Sequence, residues 1–286
     1  MVGDGTVRGV TLTGLGVWSP ELRHGDAGDI AVAAAELEQL GYTALWIPDI
    51  GGPVFEALDR LLVATTTATI ATGILNIWHH TPAETGEWFG ALRAEQQRRV
   101  LLGIGVSHAP LIGDTWGRPL QVMNDYLDGL DAAGVPPAQR CIAALAPKML
   151  ALSRDRSAGA HPYNVPPEHT AFARPILGVA GLYVEQAVVL ETDPVRAREL
   201  ARGSLSFYTG LPNYTNNWKG LGFTEDDIAS LSDRLVDAII VWGDVDTIGE
   251  RIQAHRDAGA DHVCIQVVGE RGGPMPMDAW RALAPR

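Results

Sequence analysis

Cysteine is scarce in this chain: two among 286 residues, Cys141 and Cys264. Both lie in apolar runs, which argues against a disulfide framework and predicts two buried, reduced thiols. No Cys/His spacing suits a zinc ion, and no metal is expected. No stretch approaches the roughly 20 uninterrupted apolar residues of a membrane span. The first thirteen residues lack the apolar core of a secretory signal. A cytoplasmic protein with no membrane partner is the expectation. Basic residues are also few, 22 Lys and Arg against 34 Asp and Glu, for a formal net charge of −12. That surface does not suit a phosphate backbone and argues against nucleic acid as partner. A phosphorylated small molecule would need a local site, built from backbone N–H groups and one or two basic side chains.

What the chain does have is alternation. Strand-like runs at 10–18, 43–47, 69–78, 99–106, 141–146, 159–161, 183–190 and 262–268 are separated by helical ones. The helical runs cover 29–40, 53–68, 81–97, 119–133, a short stretch from 147, 166–177, 192–209 and 245–258. Thr81-Pro82-Ala83-Glu84 has the residues of a capped helix start, and Gly41, Gly134 and Gly259 stand where helices close. Eight near-continuous apolar strands joined by helices predict a parallel sheet covered on its outer face, an α/β fold. In about this length they predict one closed (β/α)₈ barrel over 1–286, with a doubly wound sheet as the alternative. Residues 204–244 exceed an ordinary connection and read as a partly helical insertion between the seventh and eighth strands.

Barrel chemistry sits where strands end. The ends here supply Trp18, then Asp49, then Asn76, Trp78, His79 and His80, then Ser107 and His108. Further round come Ala146, Pro147 and Lys148, His161 and Tyr163, Glu191, and Glu270 with Arg271. The set holds aromatics, histidines and small residues. It lacks the carboxylate cluster of a metal-dependent hydrolase and the sixth-strand Lys of a Schiff-base aldolase. A broad planar ligand fits it better. Gly103-Ile104-Gly105 has neither the third glycine nor the acidic partner of a dinucleotide fingerprint. Each candidate has a structural alternative. His79 and His80 could be solvated loop residues, Trp18 barrel packing, Lys148 a surface charge, and Tyr214 and Trp218 packing of the insertion. Glu191 reads as structural.

Several motifs together resemble the luciferase-like oxidoreductases. They are Gly41-Tyr42-Thr43-Ala44-Leu45-Trp46-Ile47-Pro48-Asp49, Ala71-Thr72-Gly73-Ile74-Leu75-Asn76-Ile77-Trp78, the run 99–107, and Ala258-Gly259-Ala260-Asp261-His262-Val263. The Leu211-Pro212-Asn213-Tyr214 and Gly222-Phe223-Thr224-Glu225-Asp226-Asp227 stretches are similar to an F420-dependent subgroup. The resemblance implies an oxidoreductase moving hydride between the deazaflavin coenzyme F420 and a small organic substrate. A reduced-FMN monooxygenase and a non-catalytic flavin-binding protein are the alternatives. It also implies a cis peptide at Gly73–Ile74 backing the ring, Asn76 at the ring edge, and Ser107 with Ala146, Pro147, Lys148 and Met149 near the cofactor phosphate. Trp18 joins the cofactor set, Tyr214 and Trp218 the substrate set, and relatives imply a homodimer. Relatives carry an Asp-His pair after the second strand, whereas this chain has Asp49-Ile50. The acid/base candidates are therefore His108 first, Asp49 second, then His79 or His80.

Overall fold

The computed structural model describes residues 12–113, 117–270 and 272–285. Val10 and Thr11 of the expected first strand, and Arg271 after the last, lie outside the described residues. The strands are β1 (Gly14–Trp18), β2 (Ala44–Ile47), β3 (Thr69–Thr72), β4 (Leu75–Asn76) and β5 (Val100–Gly105). They continue with β6 (Arg140–Ile142), β7 (Gly159–Ala160), β8 (Gly181–Val189), β9 (Val241–Trp242) and β10 (His262–Val267). The pairing runs β1-β2-β3-β5-β6-β7-β8, all parallel. β10 closes the ring, with His262 beside Tyr183 on one flank and Gly14 on the other. β4 prolongs the line of β3 along β5, so the two form one interrupted stave. The result is a closed parallel barrel of eight staves wrapped in helices.

Local sequence explains the elements. β5 is buried along its whole length, as a strand covered on both faces must be. The Pro82–Ala91 helix starts with the Thr81/Glu84 capping box. Asp26 caps Ala27–Gln39, and Gly41 follows with φ +92°, a conformation suited to glycine. Outside the ring, helices such as Ala27–Gln39 and Val54–Ala64 bury Ile30, Leu37, Leu58 and Leu61 against the staves. Inside it, Trp46, Tyr183, Leu101, Cys141 and Cys264 form the barrel core. Both cysteines are buried and unlinked.

The structure departs from the sequence reading in a few places. The expected third strand breaks after Thr72. The expected fifth strand is reduced to Arg140–Ile142, because the helix Pro147–Arg156 needs residues 143–146 to turn outward. β7 leaves the sheet after Ala160. The unexpected β9 takes its place beside the upper half of β8, setting Val241 on Val188 and Trp242 on Val189. That divergence frees the chain after β7 to fold over the barrel's upper end. Residues 206–239 are helical throughout most of their length, with Pro212–Gly220, Glu225–Ser230 and Asp233–Ile239. A C-terminal helix, Met277–Ala282, buries Trp280, whose carbonyl accepts the Tyr42 hydroxyl at 2.7 Å. Among the described residues no helix is long and apolar enough to cross a membrane, and no group of three His, Cys, Asp or Glu could hold a metal ion.

Candidate active site

The C-terminal ends of the staves form the mouth, where barrels place their chemistry. At the end of β1 the buried Trp18 donates its indole N–H to the Gly73 carbonyl at 3.2 Å. The Gly73–Ile74 peptide is cis and makes the break between β3 and β4. A Cβ on Gly73 would run into the Trp18 indole, and one on Gly105 would run into the Ile74 side chain. Glycine at both positions therefore lets backbone and ring approach closely. Gly73 and Ile74 are half-buried and form a ledge at the mouth.

Asn76 follows directly. Its backbone N–H donates to Asp49 Oδ2 at 2.9 Å, and its Oδ1 accepts the Trp78 N–H at 3.1 Å. Its Nδ2 lies 3.5 Å from His79 Nε2. The Asp49 carboxylate is only 2% exposed and also meets His80 Nε2 at 3.1 Å. One carboxylate at the end of β2 thus holds both β4 and the loop beyond it. The β4–β5 register puts Asn76 opposite Gly105, so Ser107 stands two residues further along the neighbouring stave. Ser107 has φ +57°, a conformation uncommon for a residue with a side chain. The Trp78 indole N–H donates to Val106 at 2.7 Å and fixes this turn from outside. Next round the mouth is Ala146, which starts the helix Pro147–Arg156 without a side-chain cap. Ala146, Pro147 and Lys148 are exposed; proline has no N–H and the Met149 N–H turns onto the Ala146 carbonyl at 3.1 Å, so the first turn offers the Lys148 backbone N–H and its ammonium.

A wall of side chains faces this arc. Tyr163, just after β7, donates its hydroxyl to Gln266 Oε1 on β10 at 2.7 Å and accepts from the Tyr208 hydroxyl at 3.1 Å. Ring centroids lie 5.3 Å apart for Trp18–Tyr163, 6.3 Å for Tyr163–Tyr214 and 5.5 Å for Tyr214–His108. With the Trp18–Gly73 hydrogen bond and the Asn76–Gly105 register, these contacts complete a circuit around the mouth. His108 donates Nδ1–H to Asn213 Oδ1 at 2.9 Å. Burial lowers its pKa against the opposing effect of that bond, so the imidazole is neutral near pH 7. Beneath the wall lies Glu185, fully buried on β8. Its Oε2 accepts the Asn164 N–H at 3.0 Å, while Oε1 has no partner among the described residues. Burial pushes this carboxyl up to about 8. Burial, then the neighbouring phenols and Glu185, push Tyr163 and Tyr214 well above the usual phenol range.

The residues singled out from sequence therefore divide. Trp18, Gly73, Ile74, Asn76 and Ser107 share one continuous arc, with Ala146, Pro147, Lys148 and Met149 next along it. His79 is exposed at the arc's edge, and His80 rather than His79 reaches Asp49. His108 and Tyr214 stand on the wall. Trp218 is fully buried behind Tyr214, its indole N–H held by the Asn164 carbonyl at 3.2 Å, which gives it a packing role. Glu191 accepts the Asp193 N–H at 2.9 Å and shapes a loop, and Glu270 pairs with Arg196. Sequence reasoning missed Glu185 and Tyr208. For Glu185 the signal was available: a carboxylate inside an apolar strand, two residues from the inward-facing Tyr183 and so on the same face.

The family model described as luciferase-like monooxygenase matches residues 9–262. No curated protein sequence matches the chain. Among solved structures, an F420-dependent secondary alcohol dehydrogenase in complex with an F420–acetone adduct has a TM-score of 0.70 at 14% identity, over 95% of this chain and 96% of that one. The coenzyme F420 dependent tetrahydromethanopterin reductase from Methanopyrus kandleri scores 0.67 at 16% identity, over 95% and 97%. The oxygenating constituent of 3,6-diketocamphane monooxygenase from Pseudomonas putida, with FMN, scores 0.68 at 14% identity, over 95% and 97%. At these identities the likeness is one of fold.

Proposed function

This chain belongs to the luciferase-like monooxygenase family, and from that premise we propose that it is an oxidoreductase moving hydride between coenzyme F420 and a small organic substrate. The observation that carries the reading is the ledge at Gly73–Ile74, braced by Trp18 and flanked by Asn76. The donors beside it fit such a coenzyme: an amide and a hydroxyl for polar ring edges, then an uncapped helix start with Lys148 for a phosphate tail. Trp18, Gly73, Ile74, Asn76 and Ser107 would hold the ring side, and Ala146, Pro147, Lys148 and Met149 the tail. When bound, the deazaflavin supplies the hydride chemistry.

The protein's own work is to orient the substrate, keep water out and manage one proton. Ile50 stands where relatives carry a histidine, and His80 reaches the Asp49 carboxylate from the third stave instead. We assign the proton to this pair. Asp49 fixes the orientation of the His80 ring through this 3.1 Å contact. Neutral His108 and Tyr214 line the substrate side. A homodimer in the cytoplasm belongs to the same reading and is checked by light scattering and fractionation.

Fluorescence titration with F420, FMN and FAD tests the proposal. Tight F420 and weak FMN binding is the expected result. Tight FMN binding with oxygen uptake would instead support the monooxygenase reading that the family name and the FMN-bound relative favour. Binding without turnover on alcohols, aldehydes and enones would leave a non-catalytic flavin-binding protein. Asn76→Ala should weaken F420 by roughly 1–3 kcal/mol, the cost of a lost buried hydrogen bond. An unchanged affinity removes Asn76 from the site.

A further inference from the structure

Glu185 is a fully buried carboxyl in the wall half of the mouth with one oxygen unused. Asn164 adopts φ +54° and turns its N–H onto Oε2. Nothing among the described residues meets Oε1. The groups packed around the carboxyl are Asn164 and Tyr163 from the loop after β7, Tyr208 and Tyr214 from the helical segment, and Cys264 on β10. All are uncharged near neutral pH, and no cation among them offsets a negative charge on Glu185. Tyr163 donates its hydroxyl to Gln266 and Tyr208 donates its own to Tyr163, so neither satisfies Oε1. Buried polar atoms are almost always satisfied in native proteins, and an orphan beneath three tyrosine rings asks for a ligand.

We propose that Glu185 Oε1 is the docking point for the oxygen of an uncharged carbonyl substrate, with Tyr163, Tyr208 and Tyr214 forming its apolar enclosure. Because burial holds this carboxyl in its protonated form up to about pH 8, Oε1 presents an O–H donor, which a ketone or aldehyde oxygen accepts. A carboxylate or phosphate substrate finds no cation there and is excluded by the buried acid below it. Access requires Tyr214 to turn aside; its ring leans on Tyr208 at 4.9 Å, and no hydrogen bond among the described residues holds its hydroxyl. The inference deepens the proposed function by naming a substrate class, and it rests on that reading only for the reaction.

The test is binding of cyclohexanone and of cyclohexanecarboxylate to the full chain, by ligand-observed NMR from pH 6 to 9.5, without cofactor. Wild type should bind cyclohexanone saturably and the carboxylate not at all. Above pH 8 the ketone's Kd should rise about tenfold per pH unit as the donor ionises. Glu185→Gln keeps a donor that cannot ionise, so its Kd should be flat with pH, while Glu185→Leu should bind at least about tenfold more weakly at every pH. Equal binding of the carboxylate, a flat profile in wild type, a Glu185→Gln profile like wild type, or no saturable ketone binding each overturn the proposal. Failure of F420 titration alone would overturn the proposed function and leave this docking site standing.

Discussion

From β1 to β5 the mouth is shaped by backbone. Gly73, Gly105 and a left-handed Ser107 let main chain come close to the central space, and the polar side chains there, Asp49 and Asn76, are spent on main-chain N–H groups. From β7 to β10 it is shaped by side chains, three tyrosines packed at tilted and edge-on angles over a lone buried carboxyl, and neutral imidazoles fill the barrel below and the layer behind. His161 stacks on Trp46 at 4.4 Å and donates to the Tyr183 carbonyl, His262 accepts the Trp46 indole N–H at 3.2 Å, and His255 bridges Thr170 and Gln186 behind β8. A backbone ledge changes little with residue type and suits a ligand common to many relatives. A wall of side chains can be rewritten one residue at a time and suits the ligand that differs. The two halves should therefore respond to different perturbations, the wall half to pH and the ledge to added volume.

Acid should strike hardest. Burial lowers His161 to about 4 and His255 and His262 to about 3, all from an ordinary 6.5. Below pH 6.5 the unfolded chain takes protons that these native imidazoles refuse. Their stabilisation is complete above that pH and is lost as pH falls. Three protons amount to about 4 kcal/mol per pH unit, and Glu185, raised in the native state, opposes with about one proton, leaving about 3 kcal/mol per unit between pH 6 and 5. Urea unfolding at half-unit steps measures the slope, and His255→Gln should remove about one proton's share. A slope of one proton or less would show that these imidazoles are not held neutral. On the ledge, Gly73→Ala puts a methyl into the Trp18 indole, so either the ring or the peptide must move. We expect a loss of roughly 1–3 kcal/mol of stability and a larger loss of F420 affinity. Wild-type behaviour in both would mean the ledge tolerates volume and the comparison fails there.

The same division explains what the sequence made legible. The ledge was readable because each part sits at the end of one strand, inside a contiguous motif: Ala71 to Trp78 carries the glycine and the amide, and the run 99–107 ends in Ser107. Strand order alone then makes Asn76 and Ser107 neighbours, as the register shows. The wall was readable only in part: Tyr163 and Tyr214 stood out singly, but their meeting with Tyr208 and Glu185 joins three separate segments and depends on β7 leaving the sheet and β9 replacing it. Two-residue strands leave almost no periodic signal. His80 was missed as the partner of Asp49 for a related reason. Adjacent histidines look alike in sequence, and only the loop's hydrogen bonds to Asn76 decide which one turns inward.

Asp49 is where the ledge depends on a side chain, and Asp49→Ala tests that dependence. The change strips the acceptor from the Asn76 N–H and from His80 together. An unsatisfied buried N–H costs about 1–3 kcal/mol, so stability should drop by that order. Turnover should fall further than F420 affinity if His80 carries the proton, and the two should fall alike if Asp49 serves only the backbone.

The smallest effect belongs to Lys148. It is exposed at the start of the helix Pro147–Arg156, and an exposed ion pair contributes at most about 1 kcal/mol. Lys148→Ala should weaken F420 no more than about fivefold, and the deficit should shrink at 0.5 M salt, where screening removes what the charge supplied. The backbone N–H at position 148 and the positive end of the helix remain in the variant and should retain most of the affinity. A loss of a hundredfold would mean that one ammonium, not backbone, holds the tail, and the ledge half would then be as dependent on single side chains as the wall.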